Sequence, residues 1–243
     1  PVILSVLFGI NLTSHLAGAL GSPEIARRAL LVGVFVVTAL VLMVGGRVIP
    51  FFTANATGKL TSSHPTFEKA LMAGAAGLVM VQAVNISWLS GVWMIALGLG
   101  VLIRMKNWQT PTALRIPMLA ILHVGHIWLG LGLLVSGINA FVPFILPNLG
   151  LHIVTMGGLS TISLGMMARV AMGHTGRKIE ATPSVIAAFA LINIAVVVRG
   201  ILPVFAPSQY VSVVIASSGV WAMAFGIYLF KYIPILTVAR PDG

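Results

Sequence analysis

Eight long stretches of this chain are almost free of charge, and each is about as long as a helix that crosses a bilayer. About 20 apolar residues are needed to cross the hydrocarbon core. Only 7% of the 243 residues are charged and 58% are hydrophobic, too little polar surface for a soluble globule. The sequence therefore predicts an all-α, polytopic membrane bundle of about eight transmembrane helices, a single domain over 1–243. The stretches lie near 1–21, 29–46, 70–89, 90–105, 117–138, 149–172, 184–205 and 209–231.

Two of the predicted boundaries rest on short sequence signals. A single helix over residues 70–105 would be about 54 Å long, so we predict a break at Ser90-Gly91. Gly45-Gly46-Arg47 is expected to end the second helix, because glycine followed by a basic residue is typical of a helix C-terminus.

The basic residues are distributed unevenly among the predicted loops. Loops after even-numbered helices carry eleven Lys and Arg, whereas the others hold three, namely Arg27, Arg28 and Arg199. The positive-inside rule then predicts a multi-pass protein of the bacterial inner membrane with a cytoplasmic C-terminus. The formal charge of +10 is interpreted as topology signals and lipid headgroup contacts, so no nucleic-acid partner is expected.

Two gaps in the composition exclude several classes of site. The chain has no Cys, which excludes disulfides, iron–sulfur clusters, thiolate metal sites and Cys-attached haem. The four acidic residues, Glu24, Glu68, Glu180 and Asp242, are predicted in loops or the tail. The spans would then lack the buried carboxylates of proton-coupled transporters and di-iron sites.

The histidines are the most informative polar residues. An imidazole in hydrocarbon needs a partner, either an interhelical hydrogen bond or a metal. Four imidazoles within spans and without carboxylate partners favour a metal, because neutral imidazole suits iron and copper. Those four are His15, His123, His126 and His152; His174 ends the sixth span, and His64 lies in a loop.

Two local patterns support the metal hypothesis. His123 and His126 share one face of the fifth helix, where one ring can bind a metal while the other hydrogen-bonds. His152 and Met156 are four residues apart, and a His–Met pair suits haem or Cu(I), although core packing is the simpler explanation for Met156. Their different predicted depths indicate two sites, or one site plus structural histidines.

Arginines beside the helix ends have two interpretations. Arg47, Arg169 and Arg177 can end helices, or they can hold an anionic group such as a haem propionate, which the guanidinium fork fits. For Arg199, at the end of the seventh helix, snorkelling to the interface is the simplest account.

Four separated motifs together resemble the NnrS family of haem- and copper-containing membrane proteins of the nitric oxide response. The resemblance implicates His123, His152, His174, Arg47 and Arg177, with His15 a weaker match and a Tyr expected in many relatives at the place of His126. The motifs are Gly46-Arg47-Val48-Ile49-Pro50-Phe51-Phe52-Thr53, Leu122-His123-Val124-Gly125 to Leu129-Gly130, Leu151-His152 closing on Gly173-His174-Thr175-Gly176-Arg177, and Ala239-Arg240-Pro241-Asp242-Gly243.

The resemblance also implies a longer protein. Members of the family have about twelve membrane helices and an N-terminal Trp-His-x-His-Glu-Met motif that is missing here, with two halves that look like repeats. We therefore expect this chain, which begins at Pro1 without Met, to be the C-terminal eight-helix portion and to lack about four N-terminal helices.

Two functions from different classes follow. The first is a protein with haem, expected to be b-type, and copper that binds or handles nitric oxide and relieves nitrosative stress in a denitrification or nitric oxide response setting. Its partners would be nitric oxide, membrane lipid and a redox partner or second copy; whether it is an enzyme stays open. The second is a non-catalytic transporter or assembly subunit, whose histidines serve only interhelical hydrogen bonds.

Overall fold

The computed structural model describes residues 2–62, 64–142 and 148–240. The chain is 86% helical, its described part contains no strand, and eight helices are long and apolar enough to cross a membrane. This confirms the predicted all-α bundle. The helices are α1 Val2–Ala19, α2 Pro23–Thr57, α3 Pro65–Val84, α4 Ser87–Arg104, α5 Thr110–Ala113, α6 Pro117–Asn139, α7 Leu149–His152, α8 Thr161–His174, α9 Pro183–Gly200, α10 Leu202–Phe205 and α11 Tyr210–Thr237.

The predicted end of the second helix at Gly45-Gly46-Arg47 is wrong. Helix α2 continues to Thr57 and ends at Gly58, which has a φ of +65° and donates its backbone N–H to the Ala54 carbonyl. A left-handed glycine just past the last turn is a common helix stop. Gly45 and Gly46 are instead buried within the helix, and Gly46 lets the Arg104 side chain approach the helix backbone.

The third and fourth spans are separate helices, as predicted, but the break lies elsewhere. Asn85 adopts a φ of +63° and ends α3, and α4 begins at Ser87. Ser90 and Gly91 are buried within α4, where the Gly91 backbone lies against the Gly137 carbonyl of α6. The glycine therefore serves helix contact, as is common in membrane bundles, and not chain reversal.

Helix α6 is the central element of the bundle. Of the eight spans it is the most buried, and it packs against α4 on one side and against the sixth span on the other. Helix α1 packs on α2 and is otherwise exposed. The side chains of α6 are therefore surrounded by protein, and its two histidines lie in the interior.

The sixth span contains an eight-residue π-helical segment, Ile153–Ser160, between α7 and α8. Its two glycines, Gly157 and Gly158, lie against Trp128 and Leu129 of α6. A π-helical turn is wider than an α-helical one and often marks a functional position. Here it immediately follows His152.

Candidate functional site

A buried polar cluster lies where α2 and α6 meet the turn that follows α4. We call it the histidine cluster; its members are Thr53, Arg104, Trp108, His123 and His126, none more than 5% exposed. A 3₁₀ turn, Met105–Asn107, follows α4 and leads to Trp108. The cluster is thus built from elements far apart in sequence.

His123 is held by two threonine hydroxyls. Its Nε2 lies 2.9 Å from Thr53 Oγ1, and its Nδ1 lies 3.1 Å from Thr110 Oγ1. Because the Thr53 hydroxyl donates to the Ile49 carbonyl at 2.8 Å, it accepts from Nε2–H. The Thr110 hydroxyl then donates to Nδ1, which is nearer to it than the Met105 carbonyl at 3.4 Å. Both nitrogens of His123 are therefore satisfied by the protein.

His126 has no such partners. Its ring is completely buried, and neither nitrogen has a hydrogen-bond partner among the described residues. The ring centroid lies 4.7 Å from that of Trp108, whose indole nitrogen is also buried without a described partner. A buried polar atom left unbonded is costly, so His126 is the imidazole with capacity to bind something else.

An ion pair between Arg104 and Glu68 lies beside the Trp108 ring of the cluster. Arg104 Nε donates to Glu68 Oε1 at 3.0 Å, a terminal nitrogen donates to Glu68 Oε2, and Nη1 donates to the Leu42 carbonyl at 2.8 Å. A Cβ on Gly46 would overlap the guanidinium, which explains a glycine there. The prediction that Glu24 and Glu68 lie in loops is wrong, since they belong to the first turns of α2 and α3.

Sequence reasoning missed Arg104, Glu68 and Trp108 as members of a site. One signal was present, because Arg104 and Trp108 are four residues apart at the end of an apolar stretch, where an indole and a guanidinium can meet. The guanidinium carbon lies 5.4 Å from the Trp108 ring centroid.

His152 belongs to a different network. Arg199 Nη2 donates to His152 Nε2 at 2.6 Å and to the Tyr210 hydroxyl at 2.9 Å. The expectation that Arg199 snorkels to the interface is wrong, because only 8% of the residue is exposed. While this bond is made, His152 Nε2 cannot bind a metal. Met156, its predicted companion, lies partly buried in the π-helical segment.

The remaining predicted residues do not join either network. His15, His174 and Arg47 are exposed, as is the loop residue His64. Arg177 Nη1 donates to the carbonyls of Thr175 and Ile235, at 3.2 and 3.3 Å, and so ties the end of α8 to the end of α11.

Arg169 is buried over a ring of α2. Its guanidinium carbon lies 4.2 Å from the Phe52 ring centroid, and its Nε has no described partner. Arg47 is exposed and Arg177 bonds to backbone carbonyls, and a role of the three arginines in holding an anionic group stays a prediction.

The described residues offer few free donors for a metal ion. Within residues 2–62, 64–142 and 148–240, no three or more His, Asp or Glu come together in a way that could hold a metal ion. His126 supplies one free nitrogen donor for an ion such as copper. His123 and His126 are both completely buried, and the two threonine hydroxyls occupy both nitrogens of His123.

One comparison with known proteins gives a match. The family model described as NnrS protein matches residues 1–240, which include every helix of the bundle and both polar networks. No curated protein and no solved structure is significantly similar to the chain.

Proposed function

This chain belongs to the NnrS family, and on that basis we propose that it is a haem- and copper-containing membrane protein that binds or handles nitric oxide and relieves nitrosative stress. The observation that carries the proposal is the family match over residues 1–240. The eight apolar helices support the membrane setting.

Within the fold, His126 is the residue we propose as a copper ligand. Neutral imidazole suits copper, and a ligand nitrogen must be free of other bonds. His126 meets that condition, whereas His123 has both nitrogens hydrogen-bonded. We propose that His123 fixes the packing of α6 against α2 and does not bind metal.

The surroundings of His126 fit a ligand that carries no charge. Glu68 neutralises Arg104, so the cluster has no net charge beyond that pair. Nitric oxide is uncharged and crosses apolar protein without the desolvation cost that an ion would incur. Redox metals such as copper and haem iron supply a centre that binds it. The Trp108 indole N–H beside His126 is a free donor for a bound oxygen or nitrogen atom.

An optical spectrum of the purified protein tests the proposal. We expect a Soret band that shifts when the reduced protein is exposed to nitric oxide, with iron and copper both measured in the same sample. A preparation without a Soret band, and without either metal, contradicts the haem and copper assignment whatever its biological activity.

The hydrogen bonds of His123 and His152 favour a second candidate, the non-catalytic membrane module. In that case the imidazoles serve interhelical contacts only, as His123 does with Thr53 and His152 with Arg199. A metal-free preparation that restores full resistance to nitric oxide in a deletion strain would support this candidate against the first.

A further inference from the structure

His152, Arg199 and Tyr210 form a second polar network, the Arg199 network. It lies where the end of α9 meets α7 and the start of α11. Arg199 is 8% exposed and Tyr210 is 39% exposed, so the guanidinium lies largely inside the protein and the tyrosine lies partly at its surface.

The polar groups of this network that lack a partner among the described residues are all hydrogen-bond donors. Arg199 Nη2 uses both of its hydrogens on His152 Nε2 and the Tyr210 oxygen. Its Nε–H and the two Nη1 hydrogens have no acceptor among the described residues. Because His152 Nε2 accepts, its proton resides on Nδ1, and the Tyr210 hydroxyl keeps its own proton to donate.

The charge of Arg199 also lacks a full counter-ion in the described part of the chain. No described carboxylate lies within 4.0 Å of it, since each one pairs elsewhere. The C-terminal end of α9 offers only a partial negative charge, roughly half of an elementary charge. The pairs are Glu24 with Arg27 and Arg28, Glu68 with Arg104, and Glu180 with Lys178.

We propose that the Arg199 network binds an oxyanion. A guanidinium fork matches two oxygens of a phosphate or a similar anion, and charge-assisted bonds of this kind are strong. The anion would supply the missing negative charge and accept from the free donors. Its oxygens can belong to a lipid phosphate headgroup or to a free inorganic anion, which present the same chemistry. The inference does not depend on the proposed haem or copper.

Two measurements on the full chain separate these sources. In the first, protein purified in an uncharged detergent is dialysed to equilibrium against radiolabelled inorganic phosphate. In the second, protein in nanodiscs of phosphatidylcholine with a minority of phosphatidylglycerol is extracted, and the phosphatidylglycerol that it retains is counted by mass spectrometry.

The variants identify the site. Arg199→Gln removes the charge and is expected to weaken binding about tenfold or more, and Tyr210→Phe, which loses only the hydroxyl, about fivefold. Arg27→Gln is the matched control, because Arg27 is exposed and already paired with Glu24 at 2.9 Å; its binding should equal wild type.

Each outcome decides the proposal. Saturable phosphate binding that is lost in Arg199→Gln indicates a free anion, whereas phosphatidylglycerol retained by wild type and lost by that variant indicates a headgroup. Equal binding by wild type and Arg199→Gln overturns the proposal. If Arg199→Gln does not fold, the comparison of wild type with Tyr210→Phe takes its place, and wild type that binds neither probe overturns the proposal without any variant.

Discussion

At the scale of single residues, the Glu68–Arg104 pair allows a guanidinium to lie buried within the histidine cluster. The Arg104 side chain is 1% exposed and that of Glu68 is 21% exposed. Glu68→Gln leaves the guanidinium buried without its counter-ion, so we expect the free energy of unfolding to fall by about 3 kcal/mol, the lower end for a broken buried pair because Glu68 is partly exposed. Thermal unfolding in detergent measures the loss.

The control for this prediction is Glu24→Gln. Glu24 pairs with Arg27 at 2.9 Å, but both side chains are about 60% exposed, and pairs of this kind contribute little. We expect no measurable change. If Glu68→Gln unfolds at the same temperature as Glu24→Gln, the ion pair does not stabilise the cluster.

The sequence shows that a histidine in an apolar span needs a partner, but it does not show which partner. The threonines that hold His123 are 70 and 13 residues away, and only the packing of α2 and α5 against α6 brings them to the ring. For the same reason, the inward turn of Arg199 toward His152 and Tyr210 could not be predicted from its place at a helix end.

At the scale of helices, glycine contacts set how closely α6 approaches the sixth span. A Cβ on Gly132 would lie 2.6 Å from the Val154 backbone nitrogen, which cannot move aside as a flexible side chain can. We expect Gly132→Ala to lower the free energy of unfolding by about 1–3 kcal/mol, as overpacking does. Gly219→Ala in α11 is the control, because nothing lies within 4 Å of its added Cβ, and thermal unfolding of both variants is the measurement. If the Gly132→Ala and Gly219→Ala variants were equally stable, the close contact between α6 and the sixth span would be contradicted.

The eight spans were predictable because length and hydropathy alone define a membrane helix. The ends of the spans were harder to predict, because glycine can either end a helix or allow close packing within it. Glycine ends a helix at position 58, where φ is +65°, but at Gly91 it lets α4 approach α6, and at Gly46 it makes room for Arg104. The π-helical segment at Ile153–Ser160 has no local signal of its own, because its wider turn is fixed by the α6 residues packed against it.

At the scale of the whole molecule, the predicted orientation can be tested directly because the natural sequence has no Cys. Single cysteines can be placed as Ser62→Cys, after the second span, and as Ser208→Cys, between the last two spans; both positions are exposed. The positive-inside rule predicts that a membrane-impermeant maleimide labels Ser208→Cys in intact cells, and Ser62→Cys only after the membrane is opened. The reverse labelling pattern would show that the bundle has the opposite orientation in the membrane.

The copper assignment rests on a buried imidazole that the described residues leave unbonded, and the copper content of three purified proteins tests this most directly. The protein should bind copper, His126→Gln should lose most of it, and His123→Gln, which removes the neighbouring ring, should retain it if the fold is intact by circular dichroism. Copper retained by His126→Gln, or lost equally from both variants, would contradict the assignment of His126.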